Sequence, residues 1–420
     1  MSTEATSTSD PSGKQAARDS HHGHDHDHLH FGRHDHEEPH NDIIYPAAIP
    51  FVLVHIAALV GAFLVDWTWQ AVVLVVFLYV LRMWGLTAGF HRYFSHRSFK
   101  TSRVGQFVLA FIAQMSAQRG VLWWSSVHRH HHLHSDTELD VHSPKHAGFF
   151  FSHVGWIFAG SNAEPDYDSV QDLAQYPELV WLDEHPYVPA ALLGAACFLM
   201  GGWLWLVAFL VSTVILYHGT FSINSVAHQV GKQRYVTGDE SKNNWLLALI
   251  TLGEGWHNNH HHYQSSTRQG FRWYEIDISY YILKVLSWFG IVWDLRAPPE
   301  EVVLNERRLG RKVVEKVAHQ VAVSCNPDAI ARQLKDAWAH KPSFEKIRAD
   351  LKARLEDAEA RLHDVQLPHV PTVEELRQKA AEMFAESPSL DDVAVRAREI
   401  LVAHVAAQIL NEPDLLAGTA

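Results

Sequence analysis

Histidine is the residue through which this chain can do chemistry. Of 420 residues, 32 are histidine, nine of them between residues 21 and 40 and 23 beyond. The later ones cluster. His91 and His96 form HxxxxH within HRYFSH; His128, His131 and His132 form HxxHH within HRHHH; His257, His260 and His261 repeat HxxHH within HNNHH. On a helix, residues i, i+3 and i+4 share a face with Cβ atoms roughly 5–6 Å apart, so each HxxHH aims three imidazoles at one point. His91 and His96 lie about 140° apart on a helix of 3.6 residues per turn. Either the helix ends between them or each serves a different metal ion, and the second alternative suits a site with two metals. Eight imidazoles exceed the four ligands that close a zinc site. Imidazole also suits iron, and two redox-active ions account for the ligand number. Carboxylates are then expected behind the rings to orient their nitrogens. Asp136, Glu138, Asp140, Asp239 and Glu254 are the candidates, whereas His130, His134, His142 and His262 are expected to lie outside the ligand set.

Each histidine cluster sits just beyond a hydrophobic stretch. Ile43 to Val65 is 23 residues without a charge, long enough at about 1.5 Å per residue to cross the hydrocarbon core. Pro46 and Pro50 fall in its first turns, where a missing donor costs least. A second span runs from Trp67 to Leu86, broken only by Arg82, whose long side chain is expected to snorkel. The short connection at 67–70 makes the two antiparallel. Arg92, Arg97, Lys100 and Arg103 form a positive cluster that assigns this end to the cytoplasm. Residues 104–118 are apolar but short, and suit the interface or the protein core. Val188 to Tyr217 is thirty almost uncharged residues with Gly201-Gly202 inside, which predicts two spans at 187–200 and 203–222. Four spans place the termini and the histidines together on the cytoplasmic side. The organisation expected is a disordered His-rich tail at 1–41, a membrane domain at 42–299 and a soluble, charged, helical region at 300–420. No apolar stretch follows a basic start, so no secretory signal is expected. The fold class is all-α, integral to the membrane.

The segments HRYFSHRSFK (91–100), HRHHHLHSDTELDVHSP (128–144), FFFSHVGW (149–156), NSVAH (224–228) and GEGWHNNHHH (253–262) together resemble membrane fatty-acyl desaturases of the stearoyl-CoA Δ9 type. The resemblance covers about residues 43–296. It implies four membrane helices under a cytoplasmic cap that holds two iron ions. The nine family ligands correspond to His91, His96, His128, His131, His132, His228, His257, His260 and His261, and Asn224 matches a position that reaches one iron through water. His228 and Asn224 enter through the resemblance alone. So do Gln118, Trp124 and Thr220, which match residues shaping the bend of a narrow acyl tunnel. Animal acyl-CoA members carry an Arg-Asp pair just before the first histidine of the second box. Ser126 and Val127 stand there instead, so acyl-CoA, acyl carrier protein and a lipid-bound chain are all open as carriers. Arg119, Lys145, Lys242 and Arg268 are other candidate phosphate contacts.

The resemblance implies an O2-dependent enzyme that introduces a cis double bond, of Δ9 type, into a saturated acyl chain, with acyl-CoA first among the carriers. Its electrons must come from elsewhere. The chain has no GxGxxG at a strand–helix junction, no HPGG-type segment and only two cysteines, Cys197 and Cys325, too few for an iron–sulfur cluster. A separate ferredoxin, rubredoxin or cytochrome b5 with its reductase is expected, and residues 300–420 either dock it or steady the cap. Lys plus Arg number 35 against 47 Asp plus Glu, a net charge of −12, which excludes the basic footprint of a nucleic-acid binder. Hydroxylation of a lipid or alkane on the same scaffold is the alternative reaction, separable by product mass. A membrane metal transporter is a further alternative, but it would place its ligands inside the spans. Of the histidines named, only His55 lies there.

Overall fold

The computed structural model describes residues 43–339 and 369–410; the His-rich tail and the charged segment 344–365 lie outside them. Among the described residues the fold is helical, with one two-stranded ribbon pairing Lys100–Thr101 against Val292–Trp293. The helices are α1 Ile49–Leu64, α2 Trp69–Trp84, α3 Arg103–Gln114, α4 Val121–His134, α5 Pro144–His153, α6 Gln171–Ala174, α7 Pro177–Glu184, α8 Val188–Ser225, α9 Trp245–Ile250, α10 His257–His262, α11 Ile278–Trp288, α12 Glu300–Val303, α13 Arg311–Ser324, α14 Pro327–Ala339, α15 Val373–Met383 and α16 Leu390–Leu410.

Among the described residues, three segments are long and apolar enough to cross a membrane: Tyr45–Leu64, Trp69–Ser95 and Val188–Ser225. Their outer faces expose large apolar side chains, such as Leu59 and Phe63 on α1 and Val73 and Phe77 on α2, which suits lipid rather than water. Thr68 starts α2 by accepting from the Ala71 N–H at 3.3 Å. α8 is two helices end to end, because the backbone is non-helical at Gly201 (φ −143°, ψ 16°) and Gly202 (φ 62°, ψ −150°). The second of these conformations is essentially restricted to glycine. The halves fold back on each other: a Cβ on Gly194 would meet Phe209 at 3.1 Å, whereas 15 residues of straight helix would separate them by about 22 Å. The turn expected at Gly201-Gly202 is therefore present, inside a helical hairpin.

Arg82 does not snorkel. It is fully buried and donates to the Leu78 carbonyl at 3.0 Å, to Thr213 Oγ1 at 2.7 Å and to Ser212 Oγ at 2.8 Å. It faces α8 instead of the water interface, and these three acceptors replace its hydration. The cluster read as a free positive flank is also different in place. Arg92 is buried against Glu254 and Asp277, Arg97 pairs with Asp172, Lys100 with Asp294 and Arg103 with Glu178. Each charge has a carboxylate partner in the folded protein.

α3, the short apolar segment, packs on the core through Leu109, Ala110 and Ala113. It approaches so closely that a Cβ on Gly85 would sit 2.9 Å from the Ala113 nitrogen, which accounts for glycine there. A second apolar core lies beyond residue 300, built from α13 to α16. It contains Val317, Val321, Leu376, Val393 and Leu401, and it takes in Val236 from the loop between α8 and α9.

Candidate metal centre

The chain after α2 continues as a π-helix, Gly85–Ser95, and this settles the geometry of the first histidine pair. In a π-helix the N–H of one residue bonds the carbonyl five back, so residues five apart sit one above the other. The His96 N–H bonds the His91 carbonyl at 3.2 Å in that manner. His91 and His96 therefore serve the same group, and the expectation of one metal each is wrong. The helix does end between them, at Ser95.

α4 carries the second cluster. Its N-terminus is capped from outside: Asp183 Oδ1 accepts the N–H groups of Leu122 at 2.8 Å and Trp123 at 3.1 Å. Gly120 makes room for that carboxylate, because a Cβ there would overlap it. α10 carries the third cluster and is tied down by the asparagines between its histidines. Asn258 accepts from the backbone N–H of Tyr235 at 2.8 Å, and Asn259 donates to Glu275 at 2.9 Å. These two anchors were not singled out from the sequence; their signal was two amides facing away from the metal-ligating type at i, i+3 and i+4.

Nine histidines converge in two groups. His91, His96, His128, His132 and His260 form one, and His131, His228, His257 and His261 the other, with ring nitrogens within 4.8 Å of one another in each. Neither HxxHH aims at a single point, as spacing had suggested. α4 gives His128 and His132 to the first group and His131 to the second; α10 gives His260 to the first and His257 and His261 to the second. Each helix lies between the groups: residues i and i+4 serve one, and the i+3 residue points to the other.

In the five-histidine group the Nε2 atoms form a chain of contacts. His91 meets His260 at 3.0 Å, His260 meets His132 at 2.9 Å, His132 meets His128 at 3.0 Å and His128 meets His96 at 2.9 Å. A neutral ring nitrogen offers one proton or one lone pair. His128, His132 and His260 each face two others, so N–H···N bonds cannot satisfy the set, and a cation accepting all five lone pairs can. Burial, reinforced by neighbouring rings, holds His96, His128, His132 and His260 well below the usual imidazole range, so their rings are neutral near neutral pH. In the second group, His228 Nε2 meets His257 Nε2 at 3.0 Å, and His261 Nε2 is buried without a hydrogen-bond partner. The residues present fit metal ions at both places.

Behind the rings stand the carboxylates. Asp140 takes His131 Nδ1 at 2.9 Å, Asp136 takes His228 Nδ1 at 2.7 Å, Asp239 takes His261 Nδ1 at 2.8 Å and Glu254 takes His91 Nδ1 at 2.5 Å. Each contact fixes the Nδ1–H tautomer and turns Nε2 inward. Burial favours protonation of Asp136, but the His228 ring outweighs it and holds the carboxyl down at about 2. Glu138 is exposed and makes none of these contacts, contrary to expectation. His142 joins neither of these two groups but forms a third candidate set with His131 and Asp140; its ring lies 4.3 Å from that of His131 at a 34° tilt, with its Nδ1 3.8 Å from Asp140. Arg92, missed from the sequence, bonds both Glu254 and Asp277 from complete burial. Its signal was a charge between two candidate ligands in an otherwise apolar helix.

A cavity of about 460 Å3 opens beside the first group, between α1, α4 and α8. Gln118, Trp124, Thr220 and Asn224 all line it, with His128 at its inner wall. Trp124, Thr220, Asn224 and His128 also line a smaller space of about 50 Å3 that reaches His131 and His257 and continues to Met83 and Leu86. Gln118 Nε2 donates to Thr220 Oγ1 at 3.1 Å, and Trp124 stacks on His128 with ring centroids 4.9 Å apart. Of the four candidate phosphate contacts, Arg119 alone lines the cavity, donating to the Ala163 and Ile157 carbonyls. Lys145 pairs with Glu240, Lys242 bonds the Gln229 carbonyl and Arg268 the Arg272 carbonyl.

Residues 67–285 match the family model described as fatty acid desaturase. The chain is 37% identical over 268 residues to acyl-CoA 5-desaturase AL21 of Anemone leveillei, covering 62% of this chain and 80% of that one. It is 35% identical over 259 residues to the sn-1 stearoyl-lipid 9-desaturase of Synechocystis sp., covering 61% and 81%. It is 36% identical over 261 residues to a chloroplastic palmitoyl-monogalactosyldiacylglycerol delta-7 desaturase of Arabidopsis thaliana, covering 60% and 69%. The chain belongs to the fatty acid desaturase family, a family of oxidoreductases.

Proposed function

We propose that this protein is an O2-dependent fatty-acyl desaturase that introduces a cis double bond at the Δ9 position of a saturated chain. The single observation that carries the reading is an apolar cavity that shares Trp124, His128, Thr220 and Asn224 with the smaller space lined by both histidine groups. The nine histidines would hold two iron ions, with Asn224 as a further contact through water. The four segments 43–65, 67–86, 187–200 and 203–222 cross the membrane, with termini and metal centre on the cytoplasmic side.

The reaction balances as –CH2–CH2– plus O2, two electrons and two protons giving –CH=CH– plus two waters. When bound, the iron pair supplies oxygen activation and removal of the two hydrogens. The chain's own residues do the rest. Phe51, Val54, Trp123, Tyr217 and Phe221 wrap the acyl chain and exclude water from the reacting carbons. The Gln118–Thr220 hydrogen bond and the Trp124 ring fix one wall of the cavity against His128, which sets which C–C bond stops beside the metals. Asp136, Asp140, Asp239 and Glu254 keep the ligand rings in the tautomer that presents Nε2. A saturated chain offers no acid or base to recognise, so position along the cavity is the basis of selection.

The acyl carrier is acyl-CoA, acyl carrier protein or a membrane lipid, and relatives named for both acyl-CoA and acyl-lipid substrates support the range. Electrons come from a separate ferredoxin, rubredoxin or cytochrome b5 with its reductase.

The test is expression in a host lacking its own desaturase, with analysis of total fatty acids. The expected product is a monounsaturated acid lighter than its precursor by two hydrogens, with the double bond at carbon 9. A product that has gained oxygen makes the protein a hydroxylase. Unchanged lipids despite iron-loaded protein and a competent donor refute the proposal.

A further inference from the structure

Outside residues 67–285, the helix bundle beyond residue 300 touches the metal centre at two carbonyls. Lys316 Nζ on α13 donates to the Ser135 carbonyl at 2.7 Å, and Gln320 Nε2, one turn further on the same face, donates to the Gly238 carbonyl at 3.1 Å. Ser135 immediately precedes Asp136, and Gly238 immediately precedes Asp239. Those are the carboxylates on His228 and His261, both in the four-histidine group. The two loops are also bonded to each other, because the Glu240 N–H donates to Asp136 Oδ2 at 2.8 Å.

The contact is close-fitting. Gly238 has φ of +76°, and a Cβ there would lie 3.1 Å from Lys316 Cβ and 3.6 Å from Val317. Val236, two residues earlier, is buried in the apolar core of α13 to α16. Neighbours of the five-histidine group are different. Its carboxylate, Glu254, is held by Arg92, and Gln269 reaches His91 Nδ1 at 3.2 Å; both contacts are made within residues 91–269.

We propose that α13 is a positioning element for one of the two metal sites. Lys316 and Gln320 hold the loops that carry Asp136 and Asp239, and so set the orientation of His228 and His261 toward the ion in the four-histidine group. The ion among His91, His96, His128, His132 and His260 does not depend on them. This rests on the reading of the nine histidines as ligands of two ions.

The experiment uses the full-length protein with the nine tail histidines replaced by alanine, loaded with cobalt(II) and titrated against a chelator. The Lys316→Ala/Gln320→Ala variant is expected to release one of two ions at a tenfold or greater weaker affinity, with its visible spectrum lost, while the second ion is unchanged. Lys316→Arg, which can still donate to the Ser135 carbonyl, is expected to retain both. Asn305→Ala removes a bond between the α12 region and the Glu386 carbonyl, away from the site, and is expected to leave both ions in place. Loss of both ions together, no change in either, or the same loss in Asn305→Ala overturns the proposal. A parent protein that holds fewer than two ions overturns the reading of the ligands, and the positioning role with it.

Discussion

Asp136→Asn isolates the charge behind one ligand. Asp136 Oδ2 accepts from His228 Nδ1 at 2.7 Å and from the Glu240 N–H at 2.8 Å, and Oδ1 accepts from Ser143 Oγ at 2.7 Å. An asparagine can keep its oxygen toward His228 and Glu240 and present its amide to Ser143, whose hydroxyl rotates to accept. All three hydrogen bonds survive, and only the negative charge is lost. Removal of such a partner typically weakens metal binding 10- to 100-fold, or about 1.4–2.7 kcal/mol. Asp136→Ala is harsher. It strips the buried His228 ring N–H and the Glu240 N–H of their acceptor, at about 1–3 kcal/mol each, and leaves the Ser143 hydroxyl only the Lys145 N–H as a partner. The assay is iron retained per chain during equilibration with graded chelator, beside thermal unfolding in detergent. The asparagine variant should lose one ion early and keep its melting temperature, whereas alanine should lower both. Wild-type affinity for both ions in Asp136→Asn would refute the claim that this carboxylate tunes a ligand.

Other outcomes follow from packing and charge. Arg82→Met should leave the melting temperature within a few degrees of wild type or raise it, because Ser212 and Thr213 keep their bonds to the Val75 and Phe209 carbonyls and a well-packed apolar replacement removes a buried charge; a collapse of the fold would contradict this. Gly202→Ala should destabilise the α8 hairpin by about 1–3 kcal/mol, measured by thermal unfolding, because φ of 62° with ψ of −150° suits only glycine. Asp172 gives a pH dependence. Burial raises its pKa, but hydrogen bonds from Arg129 and Arg97 more than offset this and hold the carboxyl below the usual range. A depressed carboxylate stabilises the fold above its unfolded pKa of about 3.9 and ceases to do so as pH falls through the folded value. Asp172→Asn should therefore lower the melting temperature near neutral pH and have little effect in strong acid; equal losses at both would contradict it.

What the residues disclosed and what they hid divide along physical lines. Charge-free runs give membrane-length helices because 23 uncharged residues have few other solutions, and the glycine pair in α8 signalled its turn. The three clusters were visible because their imidazoles recur at short spacings along the chain. Their sorting was not. The i to i+5 geometry that puts His91 and His96 in one group depends on a π-helix that close approach of α3 to Gly85 and Gly89 accompanies, and that is a tertiary contact. The division of each HxxHH between two groups depends on where α4 and α10 lie relative to each other, which spacing along either does not contain. His228 stands alone in sequence and came only through the family resemblance. Arg82 and Arg92 were read as surface charges because partners 130 and 162 residues away are invisible to a local window. Glu138 illustrates the converse: a carboxylate near histidines in sequence can still face solvent.

The central claim is that nine imidazoles from four chain segments enclose two iron ions beside an apolar cavity. The most direct measurement is anomalous diffraction at the iron edge from crystals of the iron-loaded protein. Two peaks are predicted, one among the Nε2 atoms of His91, His96, His128, His132 and His260, and one among those of His131, His228, His257 and His261. A single peak, or none within either group, would contradict the account.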